Sequence, residues 1–263
     1  KTQAQVLYTE TFDTYTLGNL GTDVTGTTAG QGGWLTKGAT NANYAIIAEP
    51  NKGKVFSVFT NTPYQDTNKD FEIKKTGLKT FINQKNAGND VVKIEFDFYT
   101  GESSGNINTS GIKFHTDKPV YLNDNLLFRF YHYHGDGLMS FIYNTGATTR
   151  TILKNNEFYY LKFNTWYNVS VYLDYKNKSI YLEIPALKII RKGDFLINSK
   201  SNNIAQDFKI DMISLGMYTS GVFSNNKRES RHDNIKITAQ KSVPTHVLST
   251  NEVLNEQFNV YPN

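Results

Sequence analysis

Apolar residues recur at every second position through most of this chain, and that period constrains the fold more than any other feature. Val92, Ile94, Phe96 and Phe98 alternate with Lys93, Glu95, Asp97 and Tyr99. Val169, Val171, Leu173 and Tyr175 lead into a polar turn at 176–178, after which Ile180, Leu182 and Ile184 resume the alternation. Side chains of a strand point alternately to opposite faces, so each run predicts a strand with one apolar and one polar face. The second example predicts an antiparallel hairpin. Runs at 54–60, 139–144, 158–163, 208–218 and 233–238 repeat the pattern between clusters of Asn, Gly, Asp, Lys and Thr. Only 200–206 reads as one or two helical turns. The Gly- and Thr-rich stretch ending at Trp34 reads as a long irregular loop. Many short strands and few helices define an all-β, antiparallel β-sandwich. Residues 1–240 are expected to form it, with 241–263 as a linker-like extension that opens another module.

A chain of 263 residues with 38% hydrophobic and 20% charged residues can bury a core. The absence of cysteine excludes disulfides, thiolate metal sites and a cysteine nucleophile. No window reaches the roughly 20 apolar residues of a membrane helix, so membrane insertion is not expected. A net charge of +4 is small for a nucleic-acid partner but suits an acidic substrate. No Gly-rich phosphate loop stands between a strand and a helix, so neither a nucleotide nor another organic cofactor is expected. A monomer is expected.

The stretch 111–134, GIKFHTDKPVYLNDNLLFRFYHYH, carries the most chemistry. Ile112 and Phe114 share one face of a strand, and Lys113 and His115 the other. In the following strand Leu126, Phe128 and Phe130 alternate with Leu127, Arg129, Tyr131 and Tyr133. One side of this sheet is apolar; the other carries His, Lys, Arg and Tyr, the chemistry of a cleft for an anionic sugar chain. His132 and His134 share parity with Phe128 and Phe130, and His134 reaches the cleft only if a bulge turns it over. Tyr218 joins the polar face if Ile213, Leu215 and Met217 face the core. Tyr160 and Lys162 do so if Leu161 and Phe163 face the core. The stretch 225–232, NNKRESRH, reads as a basic loop in which Arg228 and Arg231 could grip sulfate or carboxylate.

Three stretches resemble the secreted concanavalin A-like jelly rolls: ETFDTYTLGNL at 10–20 with the following GGW, WYNVSVYLDYKNKSIYLEI at 166–184, and RHDNIKIT at 231–238. The tail FNVYPN at 258–263 is similar to the opening of the C-terminal sorting domain of type IX secretion, in truncated or processed form. Within that group the chain most resembles the ulvan lyases of polysaccharide lyase family 28. The Gln-x-His and Tyr-x-Lys-x-Gly-x-Tyr strands of alginate-lyase jelly rolls are not present as written; the nearest segments are 129–134 and 217–221. The resemblance implies a secreted enzyme that cleaves a sulfated, uronate-containing polysaccharide by β-elimination. A lyase must neutralise the uronate carboxylate, take the proton from carbon 5 and protonate the oxygen leaving carbon 4. His115, Arg129, Tyr131, Tyr133 and Tyr218 are the expected catalytic set, and Lys113, His134, Tyr160, Lys162, Arg228 and Arg231 the expected substrate contacts. The resemblance also implies a structural calcium held by Glu10, Gly53 and Asp233, with Asp13 as a substitute for Glu10.

Two other function classes fit parts of the pattern. A non-catalytic carbohydrate-binding or laminin-G-like adhesion module would use the same basic aromatic face without a proton-transfer pair. A retaining glycoside hydrolase would need paired carboxylates. Glu95 and Asp97 resemble the start of a glucanase strand, but Thr100 stands where its last Glu belongs.

Overall fold

The computed structural model describes residues 4–38, 40–60, 71–104, 108–120, 124–152, 158–200, 204–218 and 228–249. The first strands are β1 (Gln5–Glu10), β2 (Gly18–Asn19), β3 (Thr25–Ala29), β4 (Leu35–Lys37), β5 (Tyr44–Glu49) and β6 (Gly53–Thr60). Next come β7 (Phe71–Lys75), β8 (Val91–Tyr99), β9 (Thr109–Thr116), β10 (Leu126–Tyr133), β11 (Met139–Asn144) and β12 (Thr149–Thr151). The last are β13 (Trp166–Asp174), β14 (Ser179–Ile184), β15 (Ile189–Asp194), β16 (Ile210–Tyr218) and β17 (Arg228–Gln240). The helices are short: α1 (Lys79–Ile82), α2 (Ile204–Asp207) and α3 (Thr245–Ser249). None is long and apolar enough to cross a membrane.

The strands form two antiparallel sheets. One runs β15-β14-β13-β8-β17-β6-β5-β2, with β1 also on β17; the other runs β12-β11-β10-β9-β16-β7-β4-β3. Alternation decides what lies between them. Val92, Ile94, Phe96 and Phe98 of β8 are buried, while Lys93, Glu95, Asp97 and Tyr99 are only partly covered. Phe96 and Phe98 meet Phe130 of the opposite sheet edge-on, at 5.7 and 5.5 Å between ring centroids. Phe128 stacks on Phe114 at 4.7 Å. Burying each such ring contributes on the order of 2–3 kcal/mol, and this aromatic layer joins the sheets.

Several expectations change. The stretch before Trp34 contains β2 and β3 rather than one irregular loop. Of 158–163, only Tyr160 pairs, in a single bridge to Leu138. Residues 228–232 are not a loop but the start of β17. A bulge does interrupt the β9–β10 pairing, but between Leu126 and Phe128, where it turns Leu127 into the core. Residues 241–249 are packed: Val243 and Val247 are buried with Val91, Tyr172 and Tyr181. The tail motif at 258–263 lies outside the described residues.

Candidate polyanion-binding face

The outer side of the second sheet gathers the chemistry. Phe71 and Ile73 of β7 are buried in the core, so Glu72 and Lys74 point outward. Ile213, Leu215 and Met217 of β16 are likewise buried, which turns Ser214, Gly216 and Tyr218 to the same side. Ladder register then sets the neighbours. Lys74 lies opposite Ser214, Ser214 opposite Lys113, and Lys113 opposite Arg129. One step along, Glu72, Gly216, Gly111 and Tyr131 form the adjacent row.

Gly216 shapes this second row. With no side chain there, the Tyr218 ring lies back over its own strand and its hydroxyl reaches to 3.4 Å from Ser214 Oγ. The Tyr131 ring stands 4.9 Å from that of Tyr218. The Lys113 ammonium sits 3.5 Å from the Tyr218 ring centroid, and the Arg129 guanidinium 5.0 Å from that of Tyr131. Cations over π faces at such distances are attracted by about 0.5–2 kcal/mol. The two tyrosines therefore fix both cations over the sheet.

Glu72 completes the set. Ser214 Oγ donates to its Oε2 at 2.6 Å and Lys74 Nζ lies 2.6 Å from its Oε1. Burial works to raise this carboxyl, but the bonds from Lys74 and Ser214 and the charges of Lys74 and Lys113 outweigh it and hold it below the ordinary range. Arg129 differs: no carboxylate pairs with it among the described residues, and its buried Nε has no hydrogen-bond partner there. A half-buried guanidinium in that state could receive an anion.

His115 extends the face beyond Lys113, opposite Met212. Its Nδ1 lies 3.1 Å from Asn125 Oδ1. The Asn125 amide nitrogen donates to the Thr116 carbonyl, so its oxygen accepts, Nδ1 carries the proton and Nε2 is the acceptor. Burial lowers the His115 pKa below its ordinary value; the Asn125 bond opposes this and the Lys113 charge adds to it. The imidazole is neutral at pH 7.

Of the residues expected in the site, Lys113, His115, Arg129, Tyr131, Tyr133 and Tyr218 thus share one face. Tyr160 stands at its far end and is 55% exposed. The others lie elsewhere. His134 is fully buried, with Nε2 3.0 Å from Ser110 Oγ, because no bulge turns that end of β10 over. Arg228 is an interior residue at 2% exposure, with the Asn108 amide oxygen 3.2 Å from its Nη2. Arg231 is on the outer face of the first sheet, over the Tyr99 ring and bonded to Glu49 and Glu229. Lys162 is exposed, its backbone tied to Thr100 and Tyr167. Sequence reasoning passed over Glu72, Lys74 and Ser214, although FEIKK at 71–75 carries a short alternation that could have flagged the first two.

The expected calcium ligands separate into two neighbourhoods. Glu10 accepts from Phe12 N, Tyr15 OH at 2.5 Å and Trp34 Nε1 at 3.0 Å, with Lys75 at 3.5 Å. That carboxylate is already satisfied and does not fit a cation seat. Asp13 lies against Gly53, where a Cβ would come within 2.4 Å of its Oδ1. Burial, with the charges of Asp97 and Asp13, pushes Asp233 up to about 7 against the pull of its Asn234 bond and of Lys52. Among the described residues no three acidic or histidine side chains converge to hold a metal.

No protein-family model and no curated protein matches the chain. Solved structures do. A family 7 alginate lyase in complex with substrate matches with a TM-score of 0.50 at 9% identity, over 79% of this chain and 85% of that one. A product complex of a family 7 alginate lyase gives 0.50 at 10% identity, over 85% and 94%. The binding domain of botulinum neurotoxin DC, in complex with rat synaptotagmin II, gives 0.50 at 10% identity, over 91% of this chain and 51% of that one. The likeness is one of fold, and it makes the sandwich a jelly roll.

Proposed function

We propose that this chain is a polysaccharide lyase acting by β-elimination on an anionic, uronate-containing polysaccharide, with sulfated ulvan as its substrate. The observation that carries the reading is Arg129, a half-buried guanidinium with no acidic partner among the described residues, in register beside Lys113 on the face that also holds His115 and Tyr218. The fold shared with alginate lyases supports it. In the proposed reaction Lys113 and Arg129 bind the uronate carboxylate and stabilise the charge that develops on it as the carbon 5 proton leaves. His115 Nε2 accepts that proton. The Tyr218 hydroxyl gives its proton to the oxygen leaving carbon 4, and a carbon 4–carbon 5 double bond forms. Ser214 and His115 occupy diagonal positions on neighbouring strands, a spacing of about 7–8 Å. Tyr218, resting on Ser214, and His115 would then bracket one sugar. Two adjacent cations exceed what one carboxylate requires, which favours a substrate that also carries sulfate.

The proposal includes secretion, on the strength of the tail motif, and a structural calcium reduced to Asp13, the Gly53 carbonyl and Asp233. The test is to incubate the protein with ulvan, alginate and glucuronan and follow ultraviolet absorbance of the unsaturated uronate. A rise with wild type that is lost in Tyr218→Phe and Arg129→Ala is expected. No rise on any of the three, with the polymers still retained in affinity gels, would instead make the chain a non-catalytic binding module.

A further inference from the structure

We infer that the face continues into an aromatic subsite at Tyr160 and Phe158, which stacks a sugar ring remote from the reacting one and makes the protein selective for long chains over short ones. This rests on the lyase reading for its activity test and on geometry alone for its binding test.

Register places the subsite. His132 and His134 are fully buried, so Tyr133 between them points outward. Tyr133 N donates to the Leu138 carbonyl, and Leu138 bridges to Tyr160. Met139 is buried, which turns Leu138 outward, and Leu161 is buried and Tyr159 packed on the core, which turns Tyr160 outward. Tyr218, Thr109, Tyr133, Leu138 and Tyr160 therefore form one row across the outer face. At about 4.7–4.9 Å per strand, Tyr160 lies about 19 Å from Tyr218, room for several sugar units.

The aromatics at that end are the exposed ones. Tyr160 is 55% exposed and Phe158 63%, whereas Tyr131 and Tyr218 are each at 7%. Neither Tyr160 nor Phe158 has an aromatic or cation–π contact among the described residues. Exposed rings continuous with a polar, cation-bearing sheet face take the apolar face of a pyranose, as they take any flat partner, by removing both from water. The occupant is thus a distal sugar of the same polyanion.

The experiment compares Tyr160→Ala, Phe158→Ala and the double variant with Phe81→Ala, a control at 38% exposure that packs on Tyr8 away from this face. Affinity for ulvan polymer is measured by gel retardation, and KM on polymer and on a purified short ulvan oligosaccharide from initial rates. The expected result is about a tenfold loss of polymer affinity and a similar rise in polymer KM in the double variant, from the apolar area no longer covered. The short-chain KM and kcat should stay unchanged, and Phe81→Ala should behave as wild type. Unchanged polymer retention in the double variant would overturn the subsite whether or not the protein cleaves. Equal losses on long and short chains would overturn its remoteness. A wild type that retains ulvan but never cleaves it defeats the lyase reading, and the retention comparison still decides the subsite.

Discussion

Mild acid should destabilise this protein, and three core histidines make the largest contribution, partly offset by Asp233, which takes up its proton in the same window. His132, His134 and His232 are fully buried. Burial lowers their pKa values to about 3, about 4 and about 3, with His134 adding to the shift of His132 and Arg228 to that of His134, where a backbone bond opposes it. In the unfolded chain each titrates at about 6.5. Between that value and the folded ones the unfolded chain binds more protons, so stability is full above about 6.5 and is lost as pH falls. At pH 5 each histidine gives up about 1.5 pH units' worth, or about 2 kcal/mol, and the three together about 6 kcal/mol. That is comparable to the whole stability of a typical domain, about 5–15 kcal/mol. Neither ring nitrogen of His232 has a hydrogen-bond partner among the described residues, and its ring lies against Phe56 and Phe98. His232→Leu should therefore remove the titration without breaking a bond. Urea unfolding followed by Trp34 fluorescence at about pH 7.5 and about pH 5 measures this. Wild type should lose several kcal/mol over the window, and His232→Leu about 2 kcal/mol less. If the two lose stability in parallel, His232 is not titrating from the neutral, buried state and the argument fails.

Three further outcomes are expected. Arg129→Ala should lower kcat/KM on ulvan by about 10²–10³-fold, the usual loss for one charge-stabilising donor, while its melting temperature stays close to wild type. Because the His115 pKa lies below its ordinary value and the imidazole must be neutral to accept a proton, the acid limb of kcat/KM should fall below about pH 6.5 and disappear in His115→Gln. Asp233, raised to about 7 in the fold, holds its proton where the unfolded chain has lost it, so its contribution declines as pH rises from about 4 to about 7; in the presence of a chelator, Asp233→Asn should be more stable than wild type at about pH 8, by about 2–4 kcal/mol.

The legible part of the fold was the part whose alternation separates apolar from polar. β8 and the β13–β14 hairpin stand where the pattern put them, and the parity of β9 and β10 gave the outer-face residues Lys113, His115, Arg129, Tyr131 and Tyr133. Where the pattern is absent or inverted, reading failed. β3, TGTTA, is exposed along most of its length and has no apolar side to reveal it. The start of β17 buries Arg228, Ser230 and His232 and turns Glu229 and Arg231 outward, so its core face is polar and looked like a loop. Glu72 and Ser214 are 142 positions apart in sequence and meet only because β7 and β16 pair; no local spacing encodes such a contact.

The same limit explains why cationic residues that looked alike in sequence have different meanings. On the first sheet's outer face several cations have acids beside them: Arg231 has Glu49 and Glu229, Lys52 has Asp97 at 2.8 Å, and Lys93 has Glu95 at 2.6 Å. Charges paired this way at a surface add little and attract nothing of one sign. On the second sheet Lys74 is paired with Glu72, and the row continues to Lys113, over the Tyr218 ring, and then to Arg129, which has no acidic partner among the described residues. A half-buried guanidinium over an aromatic ring, with no acidic partner among the described residues, would gain free energy on binding a carboxylate or sulfate. On the proposed reading, attraction for an anionic chain would therefore rest on pairing across strands, which leaves Arg129 without an acidic partner among the described residues.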